Sequence, residues 1–166
     1  YFNDHGAFAK LTFFTMNIQN TVLTRRIMDD VFEKLNGGSS IHRGMEFEYK
    51  WISASEKLSL DGAYTYSHFR FDEFVEGGVD HSGNQLPGTP RHHVYARFNL
   101  SPWRKWDFHI DYHLISSVYL NDANTATADG YQLINAGMAY EIVSGKKWNG
   151  SISANLHNLL DVQYSP

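Results

Sequence analysis

Between Met45 and Trp51 the chain alternates without a break: Met45, Phe47, Tyr49 and Trp51 stand at odd positions, Glu46, Glu48 and Lys50 at even ones. Successive side chains of a β-strand point to opposite faces, so this stretch has one apolar and one charged face. From Trp106 to Leu114 the same pattern sets Trp106, Phe108, Ile110, Tyr112 and Leu114 against Asp107, His109, Asp111 and His113. From Trp148 to Leu156 it sets Trp148, Ile152, Ala154 and Leu156 against Asn149, Ser151, Ser153 and Asn155. Weaker alternation runs through 58–66, 94–100 and 132–142. The pattern predicts about eight strands, near 7–19, 23–32, 42–53, 58–70, 92–101, 105–117, 131–143 and 148–158. Arg25, Arg26, Asp29 and Asp30 interrupt the second of them.

The expected strands are long. A tilted membrane strand needs about 9–11 residues, whereas an ordinary globular one has about 5–6. The connections are sorted as well: short ones at 19–22, Ala54–Lys57, Pro102–Arg104 and Ser144–Lys147 alternate with long ones at 33–41, 71–91 and 118–130. Short turns at one end and long loops at the other mark an antiparallel, up-and-down transmembrane β-barrel. A soluble sandwich has no reason to sort its loops in this way. Aromatic residues near the expected strand ends (Trp51, Tyr66, Phe69, Phe71, Trp103, Trp106, Tyr119, Tyr131, Trp148) fit the girdles that such barrels place at the membrane boundary.

Composition alone looks like that of a soluble protein, with 42% hydrophobic residues and a mean hydropathy of −0.42. The departure is an aromatic content of 15%, which favours strands. No apolar run approaches the roughly 18 residues of a membrane helix, and alternating strands never produce one. With no cysteine, neither a disulfide framework nor a thiolate metal site is possible. A net charge of −4 without a basic stripe gives no sign of a nucleic-acid partner. Enzyme signatures such as Gly-x-Ser-x-Gly or His-Glu-x-x-His are missing, so no catalytic residue and no cofactor is expected.

Four segments resemble the C-terminal barrel of TonB-dependent outer-membrane receptors. Phe13-Phe14-Thr15-Met16-Asn17-Ile18-Gln19-Asn20 is similar to an aromatic strand ending in an Asn-containing periplasmic turn. Residues 37–48, with Gly44-Met45-Glu46, resemble the polar loop and Gly-x-Glu that open one of the family's strands. Leu86-Pro87-Gly88-Thr89-Pro90-Arg91-His92 resembles the Leu-Pro-Gly-x-Pro-x-His entry from an external loop. Asn155-Leu156-His157-Asn158-Leu159-Leu160-Asp161-Val162-Gln163-Tyr164 resembles the Asn-Leu-x-Asp-x-x-Tyr signature before the last strand.

The resemblance implies active uptake of a ferric siderophore or similar iron complex, energised by the TonB complex through an N-terminal plug, with outer-membrane lipid around the wall. It also implies that 1–166 is the C-terminal barrel segment of a receptor, without plug or closing strand, drawn from a barrel of about 22 strands. The alternatives are a passive porin-like barrel and a soluble lipid-binding barrel.

Ligand contact is expected in the external loops, at Asp72, His81, Arg91, Tyr119, Asn121, Asp122 and Asn124. These are hydrogen-bonding or charged types, and equally good turn or solvated loop residues. The row Asp107, His109, Asp111, His113 has the types and spacing of metal ligands, but the polar inner face of a barrel produces the same alternation, so no metal site is assigned.

Overall fold

The computed structural model of the chain describes residues 6–20, 22–28, 30–36, 38–144 and 148–164. Its strands are β1 (Gly6–Gln19), β2 (Val22–Met28), β3 (Val31–Asn36), β4 (Ser39–Ile52), β5 (Leu58–Glu73), β6 (Val75–Glu76), β7 (Val79–Asp80), β8 (His92–Leu100), β9 (Trp106–Ile115), β10 (Val118–Tyr119), β11 (Thr127–Ala128), β12 (Tyr131–Ser144) and β13 (Asn149–Leu156). The long ones form a single seven-stranded sheet in the order β1-β4-β5-β8-β9-β12-β13. Every neighbouring pair is antiparallel. The short pairs β2-β3, β6-β7 and β10-β11 are separate hairpins.

Register turns the alternation of single strands into two continuous faces. Opposed residues share a face, so Trp51 joins Ala7, Leu60 and, through Leu60, Phe98, Ile110, Ala136 and Leu156. A second outward row, four residues along β4, runs through Leu11, Phe47, Tyr64, Val94 and Leu114. On the other face Lys50, Asp61, Arg97, Asp111 and Asn135 lie in one row across five strands.

The apolar face has no protein over it. Phe13 is 72% exposed, Ile152 65% and Ile110 50%, and only Phe71 and Phe74 are buried among the hydrophobic residues described. A water-soluble chain of this size buries most of its large apolar groups in a core. Here the apolar groups form a sheet surface that the described residues leave uncovered, as a wall facing lipid would.

One expected strand does not stand in the wall. Residues 23–32 contribute instead to the hairpin of β2 and β3, which turns at Asp30 in the left-handed region (φ 62). β1 pairs directly with β4, from Gly6 opposite Ile52 to Gln19 opposite Ser39. The charges that interrupt the pattern fit this: in a wall strand Arg25 would fall on one face and Arg26 and Asp30 on the other, so either face would set charge against lipid. Asn20 (φ 55) consequently begins a long connection, and the expectation of a short periplasmic turn there is corrected. The sorting by length survives in cleaner form. Connections 20–38, 74–91 and 116–130 share one end of the sheet, and 53–57 and 101–105 share the other. The expected turn Ser144–Lys147 lies, beyond Ser144, outside the described residues.

Tight local chemistry makes the short turns. Glu56 (φ 57) donates its N–H to Ser53 at 2.8 Å, and Lys105 (φ 75) precedes the Trp106 N–H bond to Trp103 at 3.2 Å. Within the wall, Gly44 has a steric reason. A Cβ there would lie 2.3 Å from the Phe14 ring and 2.4 Å from the Tyr66 carbonyl, so only glycine lets Phe14 cross β4.

Beyond β13 the Asn158 signature folds the chain back onto β12. Asn158 (φ 53) closes a loop with both Val162 main-chain groups at 3.0 Å, and its own N–H reaches Asn135 Oδ1 at 2.8 Å. Tyr164 then stacks on Tyr131 with ring centroids 4.6 Å apart.

Candidate functional site

The long-connection end is where side chains converge on something other than the wall. Gly77 and Gly78, both at positive φ, form the tip of the β6-β7 hairpin. Its base is packed: Phe74 is 3% exposed, with Phe71 4.6 Å away on one side and His81 5.6 Å away on the other, centroid to centroid. The chain then returns along the end of β5, with Phe71 N–H bonded to Asn84 at 2.9 Å and Leu86 N–H to Phe69 at 3.0 Å. The Leu-Pro-Gly segment closes on itself, as the Thr89 hydroxyl donates to the Leu86 carbonyl at 2.6 Å and Gly88 sits at φ 68.

This loop is bonded to the next one. Asn124 Nδ2 donates to the Gln85 carbonyl and Asn124 Oδ1 accepts from the Gln85 N–H, both at 2.8 Å. Asn84 Nδ2 donates to the Asp122 carbonyl at 2.8 Å, and Gly88 N–H to the Tyr119 carbonyl at 2.9 Å. Each such bond contributes about 0.5–1.5 kcal/mol net, so together they make one rim of two loops that would otherwise move separately. Asn124 can serve because it tolerates its left-handed backbone (φ 54).

The structure brings most of the sequence-predicted residues into this rim and gives several of them structural work. Asn121 accepts from the N–H groups of Thr125 at 2.9 Å and Ala126 at 3.3 Å, closing the bend of its own loop. His81 is 8% exposed against Phe74. Arg91 donates to Gln85 Oε1 at 2.9 Å, while Asp72 stands apart at the end of β5, 3.4 Å from the Ser39 hydroxyl. Arg91 and His92 also line a pocket of about 220 Å³ with residues 116–119, Gln85 and Thr127. In the hairpin, the Ser82 hydroxyl and N–H beside Asp80 hold its carboxyl below the ordinary range.

Below the rim the inner face is aromatic before it becomes charged. His42 stacks on Phe69 at 4.3 Å, Phe14 meets Phe69 edge-on at 6.1 Å, and Ser40 Oγ lies 3.1 Å from His42 Nε2. Sequence reading missed this patch. Register sets Phe69 opposite His42 and Phe71 opposite Ser40, on the face shared with Asp61, so neither belongs to an outer girdle. Trp51, Tyr66 and Trp106 do lie on the apolar face.

Farther down, Arg97 binds Asp111 through two N–H groups, Nη2 to Oδ2 at 2.8 Å. Lys50 and Asp61 are 4.0 Å apart, and Lys10 and Glu48 3.7 Å. The His-Asp-His row is thus divided: Asp111 is held by Arg97, and His113 packs on Tyr95 at 4.9 Å. Among the described residues no group of three or more His, Asp and Glu has metal-binding geometry.

Residues 1–159 match the family described as TonB dependent receptor-like, beta-barrel, a receptor family and not an enzyme family. No curated protein matches the sequence significantly. Similar solved structures include the siderophore receptor PiuA from Acinetobacter baumannii, at 20% identity and TM-score 0.75 over 97% of this chain and 23% of that one. The ferric yersiniabactin uptake receptor FyuA from Yersinia pestis is similar at 18% identity and TM-score 0.71, over 98% of this chain and 23% of that one. The ferric citrate transporter FecA in its unliganded form is similar at 20% identity and TM-score 0.75, over 95% of this chain and 25% of that one. The likeness at these identities is one of fold, and the chain spans about a quarter of the length of each.

Proposed function

The chain belongs to the TonB-dependent receptor β-barrel family, and from that premise we propose that it is the C-terminal wall segment of an active transporter for a ferric siderophore or similar iron complex. The whole barrel, of about 22 strands, would stand in the bacterial outer membrane, filled by a plug through which the TonB complex supplies energy. It would be a transporter without catalytic activity.

The observation that carries this reading is the unequal construction of the two ends of the sheet. Turns close one end. The other carries a bonded rim above an aromatic patch on the face opposite the apolar one, a polar-and-aromatic setting of the kind that takes small ligands. Ligand contact falls on this rim, at the residues expected from sequence other than Asp72, which stands apart at the end of β5. Asn121 and Asn124 would act by holding the loops in shape. Among the described residues Tyr119 keeps a hydroxyl, and Arg91 keeps N–H groups, without a protein partner. An iron complex rich in oxygen and aromatic groups finds both kinds of contact here.

The test is uptake of radioiron by cells that express the full reading frame in an iron-starved strain lacking its own receptors. We expect saturable uptake that disappears when TonB is deleted. Uptake that persists without TonB would instead mark a passive pore, and no uptake of any ferric complex would end the iron reading.

A further inference from the structure

The outward face stops being apolar at a definite height. From Trp51 through Tyr49 and Phe47 to Met45, β4 faces outward with apolar and aromatic groups, and the next outward residue is Arg43. Opposite Arg43 stands His68, and two residues on is Arg70, opposite Ile41. Gln85 forms a bridge with Arg70, and Arg91 Nη2 donates to Gln85 Oε1 at 2.9 Å. The guanidinium groups of Arg91, Arg70 and Arg43 all lie within electrostatic reach of the His68 ring. Directly below them sits an aromatic belt. Tyr66 and His92 have ring centroids 5.4 Å apart, and the Tyr64 hydroxyl lies 2.9 Å from His92 Nδ1.

Trp51 and Arg43 are eight residues apart. At about 3.3 Å per residue and a tilt of about 40°, that places Arg43 roughly 20 Å above Trp51 along the membrane normal. The apolar band of such barrels is about 25 Å tall, so Arg43 lies in its uppermost part, and Arg70, opposite Ile41 two residues farther along, comes to its edge. Charge is costly in the band and nearly free at its edge, where it meets headgroups. Carboxylates do not neutralise the cluster. Asp72, two residues beyond Arg70, interacts with Ser39 at 3.4 Å, and among the described residues none of the three arginines is ion-paired. Arginine matches phosphate oxygens with its fork of N–H groups.

We propose that Arg43, Arg70 and Arg91 form a binding patch for the phosphate groups of lipid headgroups around the long-connection end of the barrel. The inference rests on reading the sheet as a wall in a membrane, and it is independent of what is transported. Arg43 and Arg91 are the exposed members, while Arg70 and His68 are half-buried at the centre. The pocket beside Arg91 and His92 adds hydroxyl groups from Ser116, Ser117 and Thr127 at the edge of the patch.

The test uses the full-length receptor in detergent, offered diphosphoryl lipid A or the same lipid without its phosphates, with retention read by native mass spectrometry. A basic group at an anionic surface contributes about fivefold in affinity, so we expect about a hundredfold preference for the phosphorylated lipid. The triple variant R43Q/R70Q/R91Q should lose that preference. The triple lysine variant should keep much of it, and R104Q at the short-turn end should keep it all. Equal retention of the two lipids by the unaltered receptor overturns the proposal, as does an undiminished preference in the glutamine variant. Inorganic phosphate that binds the lipid-free receptor as tightly as the lipid does would also overturn it, by making the site one for a free anion. If the glutamine variant does not assemble, the lipid contrast on the unaltered receptor and the lysine variant still decide. Radioiron uptake by the unaltered receptor is measured in parallel: no lipid preference with TonB-dependent uptake removes the patch alone, and a lipid preference without uptake removes the transport reading alone.

Discussion

The wall and the rim are built from the same chain by different means. In the wall, position along the strand decides everything: β9 shows Ile110 to one side and Asp111 to the other, and register carries that choice across the sheet. Backbone bonds to adjacent strands hold it, and side chains mainly decide which solvent each face meets. In the rim, side chains replace the ladder. Asn124, Asn84 and Asn121 bond to main-chain groups that have no strand beside them. Apart from a close crossing such as Gly44, a wall residue is therefore replaceable by another of the same polarity, whereas a rim residue is tied to its own hydrogen-bond geometry.

The largest expected effect separates the two faces of the wall. Ile110 lies in the middle of β9, 50% exposed on the apolar face between Phe98 and Ala136. Ile110→Arg should cost about 2–4 kcal/mol, the value for a guanidinium in the depth of the bilayer. Thr65→Arg, in the same sheet but on the inner face between Glu46 and His93, should stay within about 0.5 kcal/mol. Reversible urea unfolding of the full barrel in lipid vesicles measures both. Equal costs would mean that the apolar face does not meet lipid.

How much of this was legible follows the same division. Alternation is local, so the faces of β4, β9 and β13 could be read from a few residues each, and the sorted loop lengths announced the barrel. The wall strand expected at 23–32 is instead part of the hairpin of residues 22–36, and Arg25, Arg26 and Asp30 carry the warning in the sequence. Phe69 and Phe71 near a strand end looked like girdle residues. Their face depends on a register with β4 that includes an irregularity at Ser39/Ser40. The rim was legible only as a set of polar types. Asn124 was singled out but Gln85 was not, because the bond between them spans 39 positions of sequence and no local pattern reports it.

A smaller effect should distinguish bonded loops from independent ones. Asn124→Ala removes both bonds to Gln85 and leaves alanine in a left-handed conformation, at a cost of about 1–3 kcal/mol. Asn124→Gly keeps the backbone freedom and loses only the bonds. We expect amide hydrogen exchange to accelerate about tenfold or more in both loops, residues 84–88 and 118–126, while the wall amides do not change. Acceleration confined to the mutated loop would mean that the rim is two separate pieces. Strand amides that accelerate too would dissolve the distinction between wall and rim.

The smallest effect lies at the hairpin tip and sets a limit on what one rim bond does. The Ser82 N–H donates to Asp80 Oδ1 at 2.9 Å, and Ser82 Oγ accepts from the Phe74 N–H at 3.1 Å, so Ser82 joins the tip to the buried ring at its base. The Ser82 hydroxyl, then its N–H, lowers the Asp80 pKa in the folded loop. A carboxylate with a depressed folded pKa stabilises the fold fully above its unfolded value, near 3.9, and the contribution disappears as pH falls through the lower, folded value. At neutral pH the hairpin should therefore be at its firmest, and acidification below the ordinary carboxylate range should loosen residues 74–82 before anything else in the rim. Exchange of the Ser82 amide, corrected for its intrinsic pH dependence, follows this directly. Asp80→Asn should abolish the pH dependence while leaving the Asn124 bonds and the wall as they were. If acid instead opened the two loops together, the hairpin and the Asn124 latch would be one cooperative unit, and the rim would be stiffer than its individual bonds imply.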